Sequence, residues 1–301
     1  MNFPKWLRYA LGATLLGGIW GALIEIPEKS GFPSTLGYIV WAFTMLIPAT
    51  VAMKKAKWKL EYDKRSIIYG LIIGLFGAGG QMLLFVALES GPAYMVFPLI
   101  SLAPVVTILA SFFILKERTN KIGWVGIIIA IIAIPVLSYQ DSTSEGEGYT
   151  WLILSFLVFV FWGAQGFFMR YANQTMSAAS IFFYMTLSAL LLIPCALYLT
   201  DFSGEINYGF DGPYLAFLIH ILNAVNALFI VNAYRYGKAI VVSPITNAAP
   251  PIVTIVLSLI IYQVMPNVVI IVGMFLAVVS TLLLSFAEES DDIEEGDKIE
   301  E

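Results

Sequence analysis

The sequence predicts an all-α integral membrane protein of ten transmembrane helices, arranged as two inverted five-helix repeats. Of its 301 residues, 59% are hydrophobic and 12% are charged, whereas soluble domains carry about 25% charged residues. Continuous apolar runs that are long enough to cross a bilayer recur along the whole chain. The two halves of the chain also repeat each other around matched prolines.

The apolar runs place ten spans, each near the roughly 20 residues that an α-helix needs to cross hydrocarbon. Transmembrane β-strands would instead be segments of about 10 residues with alternating polarity. The spans, called first to tenth below, are residues 7–25, 35–53, 66–88, 93–115, 122–139, 150–169, 178–199, 213–234, 239–262 and 267–287.

The basic residues indicate how these spans are oriented. With the N-terminus in the cytoplasm, all of the 16 lysine and arginine residues except Lys29 fall in cytoplasmic segments. Cytoplasmic loops of membrane proteins are enriched in these residues. We therefore expect a multi-pass protein of the cell membrane with both termini in the cytoplasm.

An acidic segment, residues 288–301, follows the last span. It holds nine acidic residues and one lysine, too little apolar surface to fold by itself. We expect a disordered, solvated tail, and a regulatory or docking role is the alternative.

The internal repeat divides the membrane region into residues 1–140 and 149–287. Residues 91–104 align with 237–250, so that Gly91 meets Gly237 and Pro104 meets Pro250. A repeat unit with an odd number of spans enters the membrane from opposite sides in its two copies. Secondary transporters commonly have such inverted repeats, with substrate sites near the midplane at interrupted helices.

Prolines interrupt the fourth and ninth spans near their middle. Pro104 has no N–H to donate to the carbonyl of Ile100, and Pro250 has none for Thr246. Freed carbonyls within a membrane are tolerated where protein or a water-filled cavity satisfies them. The breaks either line a cavity or are packed kinks, and their matched positions in the two halves favour the cavity.

Several motifs now point to a family. They are Trp20-Gly21, Trp162-Gly163, the segment GPAYMVFPLISLAPVVTILASFFILKER at 91–118, and Gly123 with Gly126. In these the chain resembles the EamA-type branch of the drug/metabolite transporter superfamily. The second half departs from the pattern: LKER at 115–118, which contains Glu117, ends the fourth span, whereas the ninth span ends in YQVMP at 262–266. The resemblance implies alternating access, amino acids, sugars or drug-like solutes as substrates, and a central cavity lined mainly by the first, third, fourth, sixth, eighth and ninth spans.

Polar side chains within the spans are costly and are therefore candidate site residues. His220, Asn223 and Asn226 are spaced by three along the eighth span, and they either line a cavity or bond to neighbouring helices. Glu25 is either a buried proton-coupling carboxylate or a water-exposed interface residue, and its depth favours the second. The candidate cavity residues are Trp20, Gln81, Pro98, Ser101, Pro104, Trp162, Gln165, His220, Asn223, Asn226, Thr246, Asn247 and Pro250, and the proton-coupling candidates are His220 and Glu25.

The sequence argues against an enzyme. It has one histidine and lacks the H-E-x-x-H, G-x-S-x-G and phosphate-loop motifs, so we expect no catalytic residues, metal or cofactor. The expected function is secondary active transport of small organic metabolites, and the alternative is a non-transporting membrane protein or a channel-like facilitator. Expected partners are the small-molecule substrate and the lipid bilayer, with a proton or counter-solute as the coupling partner and no nucleic acid. Substrate identity, transport direction and oligomeric state are left open.

Overall fold

A computed structural model describes residues 4–110, 113–114, 120–137, 149–236, 246, 249–263, 267–280 and 282–283. All regular elements within this part are helical. They are α1 (Lys5–Leu23), α2 (Ile26–Lys29), α3 (Ser34–Thr44), α4 (Leu46–Lys55), α5 (Lys64–Ser90), α6 (Ala93–Ile100), α7 (Ala103–Ala110), α8 (Lys121–Leu137), α9 (Thr150–Ala172), α10 (Ala178–Leu191), α11 (Ile193–Leu199), α12 (Leu215–Tyr236), α13 (Ala249–Tyr262) and α14 (Val268–Ser280). A π-helical turn, Phe210–Tyr214, leads into α12.

The helices confirm the predicted membrane class. Six helical segments are long and apolar enough to cross a bilayer: Lys5–Lys29, Ser34–Lys55, Lys64–Ser90, Thr150–Met169, Ala178–Leu199 and Phe210–Tyr236. Shorter apolar helices at Ala93–Thr107, Lys121–Ala133, Ile252–Ile261 and Val268–Ser280 lie at the four remaining predicted spans. Many large apolar side chains on the outside, such as Ile131 and Phe275, are exposed, as lipid contact requires.

Proline determines where three of the spans are interrupted. The second span breaks at Met45 before Pro48, the fourth at Ser101 and Leu102 before Pro104, and the seventh at Leu192 before Pro194. Each proline lacks the N–H that would continue the helical bonding pattern. The second and seventh spans hold the same place in their respective halves, so these two breaks also follow the repeat.

Hydrogen-bonding side chains cap the starts of two helices, α5 and α10. Asp63 caps α5 by accepting from the Ser66 backbone N–H at 3.1 Å, and Ser177 caps α10 by accepting from Ser180 at 3.2 Å. Such caps satisfy donors that the first helical turn leaves free. Hydrogen bonds from the Ser66 side chain and backbone hold the pKa of Asp63 below its usual range.

The two halves are interlocked rather than placed side by side. Helix α1 of the first half packs against α12 and α13 of the second, and α9 of the second half packs against α5 and α7 of the first. Glycines permit the closest approaches, since a Cβ at Gly18 would collide with Val253 and a Cβ at Gly163 with Val106. Small residues allow membrane helices to pack this closely. The interface between the halves therefore runs through the centre of the helix bundle.

Candidate functional site

A cavity of about 190 Å³ lies at this interface. Its wall is formed by α1, α3, α5, α9, α10 and α12, by the breaks that follow α3 and α6, and by the start of α13. The cavity is large enough to hold several waters or a small solute. Both halves of the chain contribute to the wall.

Most of the predicted cavity residues lie on this wall. Pro98 and His220 are outside the lining, and Asn247 lies outside the described residues. The ten candidates that do line the cavity are Trp20, Gln81, Ser101, Pro104, Trp162, Gln165, Asn223, Asn226, Thr246 and Pro250. Sequence reasoning missed other lining residues, among them Trp41, Phe97, Thr107, Tyr234 and Thr254.

The matched prolines of both halves, Pro104 and Pro250, reach the cavity. In the fourth span, Ile100, Ser101 and Pro104 line it, and the Ser101 hydroxyl donates to the Pro98 carbonyl at 2.7 Å. In the second half, Thr246 and Pro250 line it. The backbone of the first half therefore departs from continuous helix next to the cavity, where its polar groups can be satisfied.

Two threonines at equivalent repeat positions hydrogen-bond the fourth and ninth spans to the opposite half. The Thr107 hydroxyl on α7 donates to the Gly163 carbonyl on α9 at 2.8 Å. The Thr254 hydroxyl on α13 donates to the Gly18 carbonyl on α1 at 3.1 Å. The two threonines occupy equivalent repeat positions, and this equivalence is the sequence signal that could have identified them.

Two residues of the polar stripe on α12 are tied to tryptophans of the first half. The Trp20 indole N–H donates to His220 Nδ1 at 3.2 Å, and the Trp41 indole N–H donates to Asn223 Oδ1 at 2.7 Å. His220 is also buried edge-on against Phe85, with ring centroids 5.0 Å apart. An imidazole that accepts at Nδ1 carries its proton on Nε2 and is uncharged. His220 is thus held as a neutral interhelical contact.

The third residue of the stripe, Asn226, faces the cavity without such a partner. Asn226 Oδ1 and Gln81 Nε2, on α12 and α5, are buried and have no hydrogen-bond partner among the described residues. Leaving a buried donor or acceptor unpaired costs about 1–3 kcal/mol. Two residues that line the cavity, one from each half, therefore each keep a buried polar atom without a partner among the described residues.

Aromatic rings form part of the cavity wall, and its described residues carry no charge. Five rings line it, those of Trp20, Trp41, Phe97, Trp162 and Tyr234. No aspartate, glutamate, lysine, arginine or histidine of the described residues lines it. Apolar walls with a few polar groups are typical of small-molecule sites.

Glu25 has a role that differs from the favoured expectation. A water-exposed position was expected, and this was wrong, because the side chain is only 2% exposed. Its carboxylate pairs with Lys29 Nζ at 2.5 Å and accepts a hydrogen bond from the Ala93 backbone N–H. Negative charge is favourable at the N-terminus of a helix such as α6. Glu25 thus anchors the start of the fourth span outside the cavity lining.

The family comparison covers nearly the whole chain. A family model described as the EamA-like transporter family matches residues 4–139 and 149–286. An uncharacterized protein of Methanocaldococcus jannaschii is 32% identical over 104 residues, which are 35% of this chain and 76% of the relative. An uncharacterized transporter of Bacillus subtilis, YxxF, is 25% identical over 183 residues, and the match spans 58% of each chain.

The fold also matches a solved structure. One crystal structure superimposes with a TM-score of 0.66 over 95% of this chain and 98% of the other. The two sequences are 16% identical, so this likeness establishes the fold alone.

Proposed function

The chain belongs to the EamA-like transporter family, and from this premise we propose that it is a secondary active transporter moving small organic metabolites across the cell membrane by alternating access. The observation that carries the proposal is the position of the cavity. It lies between the two repeats and touches Pro104 of the first and its equivalent, Pro250, of the second. A site in this position can be opened by moving one half against the other.

Hydrogen bonds between the halves would transmit such a movement to the cavity. Thr107 joins the fourth span to the sixth, and Thr254 joins the ninth span to the first. A displacement between the halves would therefore move the cavity-lining backbone directly. The energy source we propose is a solute gradient, since the sequence has no phosphate-binding loop of the P-loop type.

The cavity wall supports a counter-solute better than a proton as the coupling partner. His220 accepts from Trp20, and Glu25 is paired with Lys29, so both proton-coupling candidates already hold partners. Neither lines the cavity. We further propose that both termini are cytoplasmic, because that orientation leaves Lys29 as the single basic residue on the outer side.

Counterflow in proteoliposomes tests the proposal. The purified chain is reconstituted, loaded with a mixture of amino acids, sugars, amides and nucleosides, and offered the same solutes in isotope-labelled form. Mass spectrometry should show saturable uptake of at least one solute, accelerated by that solute inside. Linear uptake that does not saturate would indicate a channel-like facilitator, and no protein-dependent uptake would indicate a non-transporting protein.

A tryptophan placed in the cavity provides the matched test of location. Ala227 lines the cavity on α12 and is half-buried, so Ala227→Trp should fill the space and abolish uptake. Ile131 is exposed on α8, on the outside of the bundle, so Ile131→Trp should leave uptake unchanged. Equal uptake by both variants would place the path elsewhere.

A further inference from the structure

We propose that the acidic tail, residues 288–301, docks on a basic surface formed by the connection between the second and third spans. The partner of this surface is thus a segment of the same chain, and high ionic strength releases it. The inference goes beyond the proposed transport and does not depend on it. The basic surface comprises the exposed residues Lys54, Lys55, Lys57, Lys59, Lys64 and Arg65.

The local backbone holds the basic side chains away from the helix bundle. Helix α4 ends at Lys55, and Lys57 and Trp58 follow with left-handed backbone, at φ 55° and 56°. The Trp58 N–H donates to the Met53 carbonyl at 2.8 Å, which satisfies a carbonyl at the end of α4. The chain therefore turns at this point, and all six basic residues of the surface are exposed.

The two acidic residues of the connection already accept hydrogen bonds from other groups. The Glu61 carboxylate accepts from the Ser177 hydroxyl at 2.9 Å and from the Ser177 backbone N–H at 3.3 Å. The Asp63 carboxylate accepts from the Ser66 hydroxyl at 2.6 Å and from its backbone N–H at 3.1 Å. Within the described residues, no salt bridge involves a side chain of the basic surface. The surface therefore keeps an excess of positive charge.

Contacts with the second half hold the basic surface in place. The Glu61 backbone N–H donates to Ser180 Oγ at 3.1 Å, and the Tyr184 hydroxyl donates to the Glu61 carbonyl at 2.7 Å. The Arg65 guanidinium lies 5.5 Å from the centroid of the Tyr171 ring and donates to the Tyr171 hydroxyl at 3.2 Å. These contacts leave the charge of Arg65 without a counter-ion. A surface that is ordered in advance loses less conformational freedom when a partner binds.

The acidic tail has the complementary charge. It holds nine acidic residues and one lysine, and because it lies outside the described residues, the proposal uses its sequence alone. Opposite charges favour and orient an association, and a tethered segment meets its site at a high effective concentration. An anionic lipid leaflet is the competing partner. We favour the tail because its carboxylates lie on one segment that is tied to the same molecule.

The span count and the chain length allow the contact. Eight predicted spans, the third to the tenth, separate the basic surface from the tail, and an even number of crossings returns the chain to the same side of the membrane. The 18 residues 284–301 follow Leu283, and fully extended they would span about 60 Å. Ten helices packed roughly 10 Å apart form a bundle on the order of 40 Å wide. The tail is therefore long enough to reach the basic surface.

Zero-length cross-linking tests the contact on the wild-type chain in uncharged detergent. A carbodiimide joins a lysine amine to a carboxylate that touches it, and mass spectrometry identifies the joined peptides. We expect links between the basic surface and the acidic tail at about 50 mM KCl and far fewer at about 500 mM, because salt screens exposed charges. Lys5 and Lys121 are also exposed and are predicted to lie on the same side, yet they should link to the tail rarely.

Two results of this cross-linking would overturn the inference. One is an absence of links to the basic surface, or links spread evenly over all exposed lysines. The other is that the links join two copies of the chain, which mixing with an isotope-labelled chain reveals.

A matched pair of charge variants locates the contact in the full chain. Nitroxide labels are placed on Tyr62→Cys, at a side chain that is 79% exposed, and on Ser290→Cys, with Cys195→Ser removing the native thiol. Pulsed electron resonance then measures the fraction of chains with a short distance between the labels. Lys57→Gln with Lys59→Gln should lower the ratio of docked to free tail roughly three- to tenfold. Lys5→Gln with Lys121→Gln removes the same charge elsewhere and should leave the ratio unchanged, and equal losses in both variants would contradict a specific surface.

Bilayers of defined composition distinguish the tail from the competing lipid. The cross-linking is repeated in nanodiscs of phosphatidylcholine and in nanodiscs with added phosphatidylglycerol, which is anionic. We expect the links between the basic surface and the tail to persist in both. Loss of the links when the anionic lipid is present would show that lipid head groups occupy the surface, and the inference would fail.

Discussion

Two regions of the interface between the halves differ in whether their polar side chains have hydrogen-bond partners. In the tied region, His220 and Asn223 on α12 each accept a hydrogen bond from a tryptophan indole of the first half. In the open region, Asn226, one helical turn further along α12, and Gln81 on α5 keep atoms without a protein partner.

The difference teaches that residue type alone does not decide the role of a polar group in a membrane helix. Asn223 and Asn226 have the same side chain, lie on the same helix and both touch the cavity. Asn223 accepts from the Trp41 indole N–H, whereas no donor in the described part of the chain meets Asn226 Oδ1. A polar side chain whose partner comes from a neighbouring helix holds the halves together, and Asn226 Oδ1 makes no such tie within the described residues.

Removing the acceptor in the tied region should give the largest loss of stability. Asn223→Leu leaves the buried Trp41 indole N–H unpaired, which should lower the free energy of unfolding by about 1–3 kcal/mol. Denaturant titration in mixed micelles measures this change. The double variant Asn223→Leu, Trp41→Phe should lose less than the sum of the single variants, and strict additivity would show that the hydrogen bond contributes nothing.

Replacing the histidine of the tied region by another acceptor should have a smaller effect. His220→Asn keeps an oxygen near Nδ1 for the Trp20 indole, so the free energy of unfolding should fall by about 0.5–1 kcal/mol. Counterflow should keep its pH dependence, because a neutral structural contact carries no proton. A folded variant that exchanges solute with a flat pH profile where the wild type has a sloping one would identify His220 as a proton carrier.

Replacing an asparagine by leucine in the open region should change the free energy of unfolding least, and it should raise it rather than lower it. Asn226→Leu removes a buried acceptor that has no partner, so the unliganded protein should gain roughly 0.5 kcal/mol of stability. The same micelle titration measures it. A loss as large as that of Asn223→Leu would mean that Asn226 belongs to the tied region.

The sequence predicts the spans well because the bilayer imposes a simple constraint. A helix must present about 20 apolar residues to hydrocarbon, and each predicted span contains an apolar helix. The interruptions before Pro48 and Pro194 were not predicted, although the prolines were visible. Whether a proline kinks or divides a helix depends on neighbours that supply the lost hydrogen bonds, and these are set by tertiary packing.

The site could be predicted in part. Polar and proline positions identified Gln81, Asn226 and Pro104 on the cavity wall. Whether a polar group is tied or open depends on indole donors that lie about 200 residues away in sequence, as Trp20 and His220 show. No local pattern carries that information.

The most direct measurement tests whether the cavity is the transport path. The chain has one cysteine, Cys195, which is exposed and outside the cavity lining. Counterflow is measured before and after maleimide treatment in wild type and in Cys195→Ser with Ala227→Cys, and mass spectrometry confirms labelling. We expect labelling at position 227 to abolish saturable counterflow and labelling of Cys195 to leave it intact. Undiminished counterflow with the cavity cysteine fully labelled would contradict a central path between the two repeats.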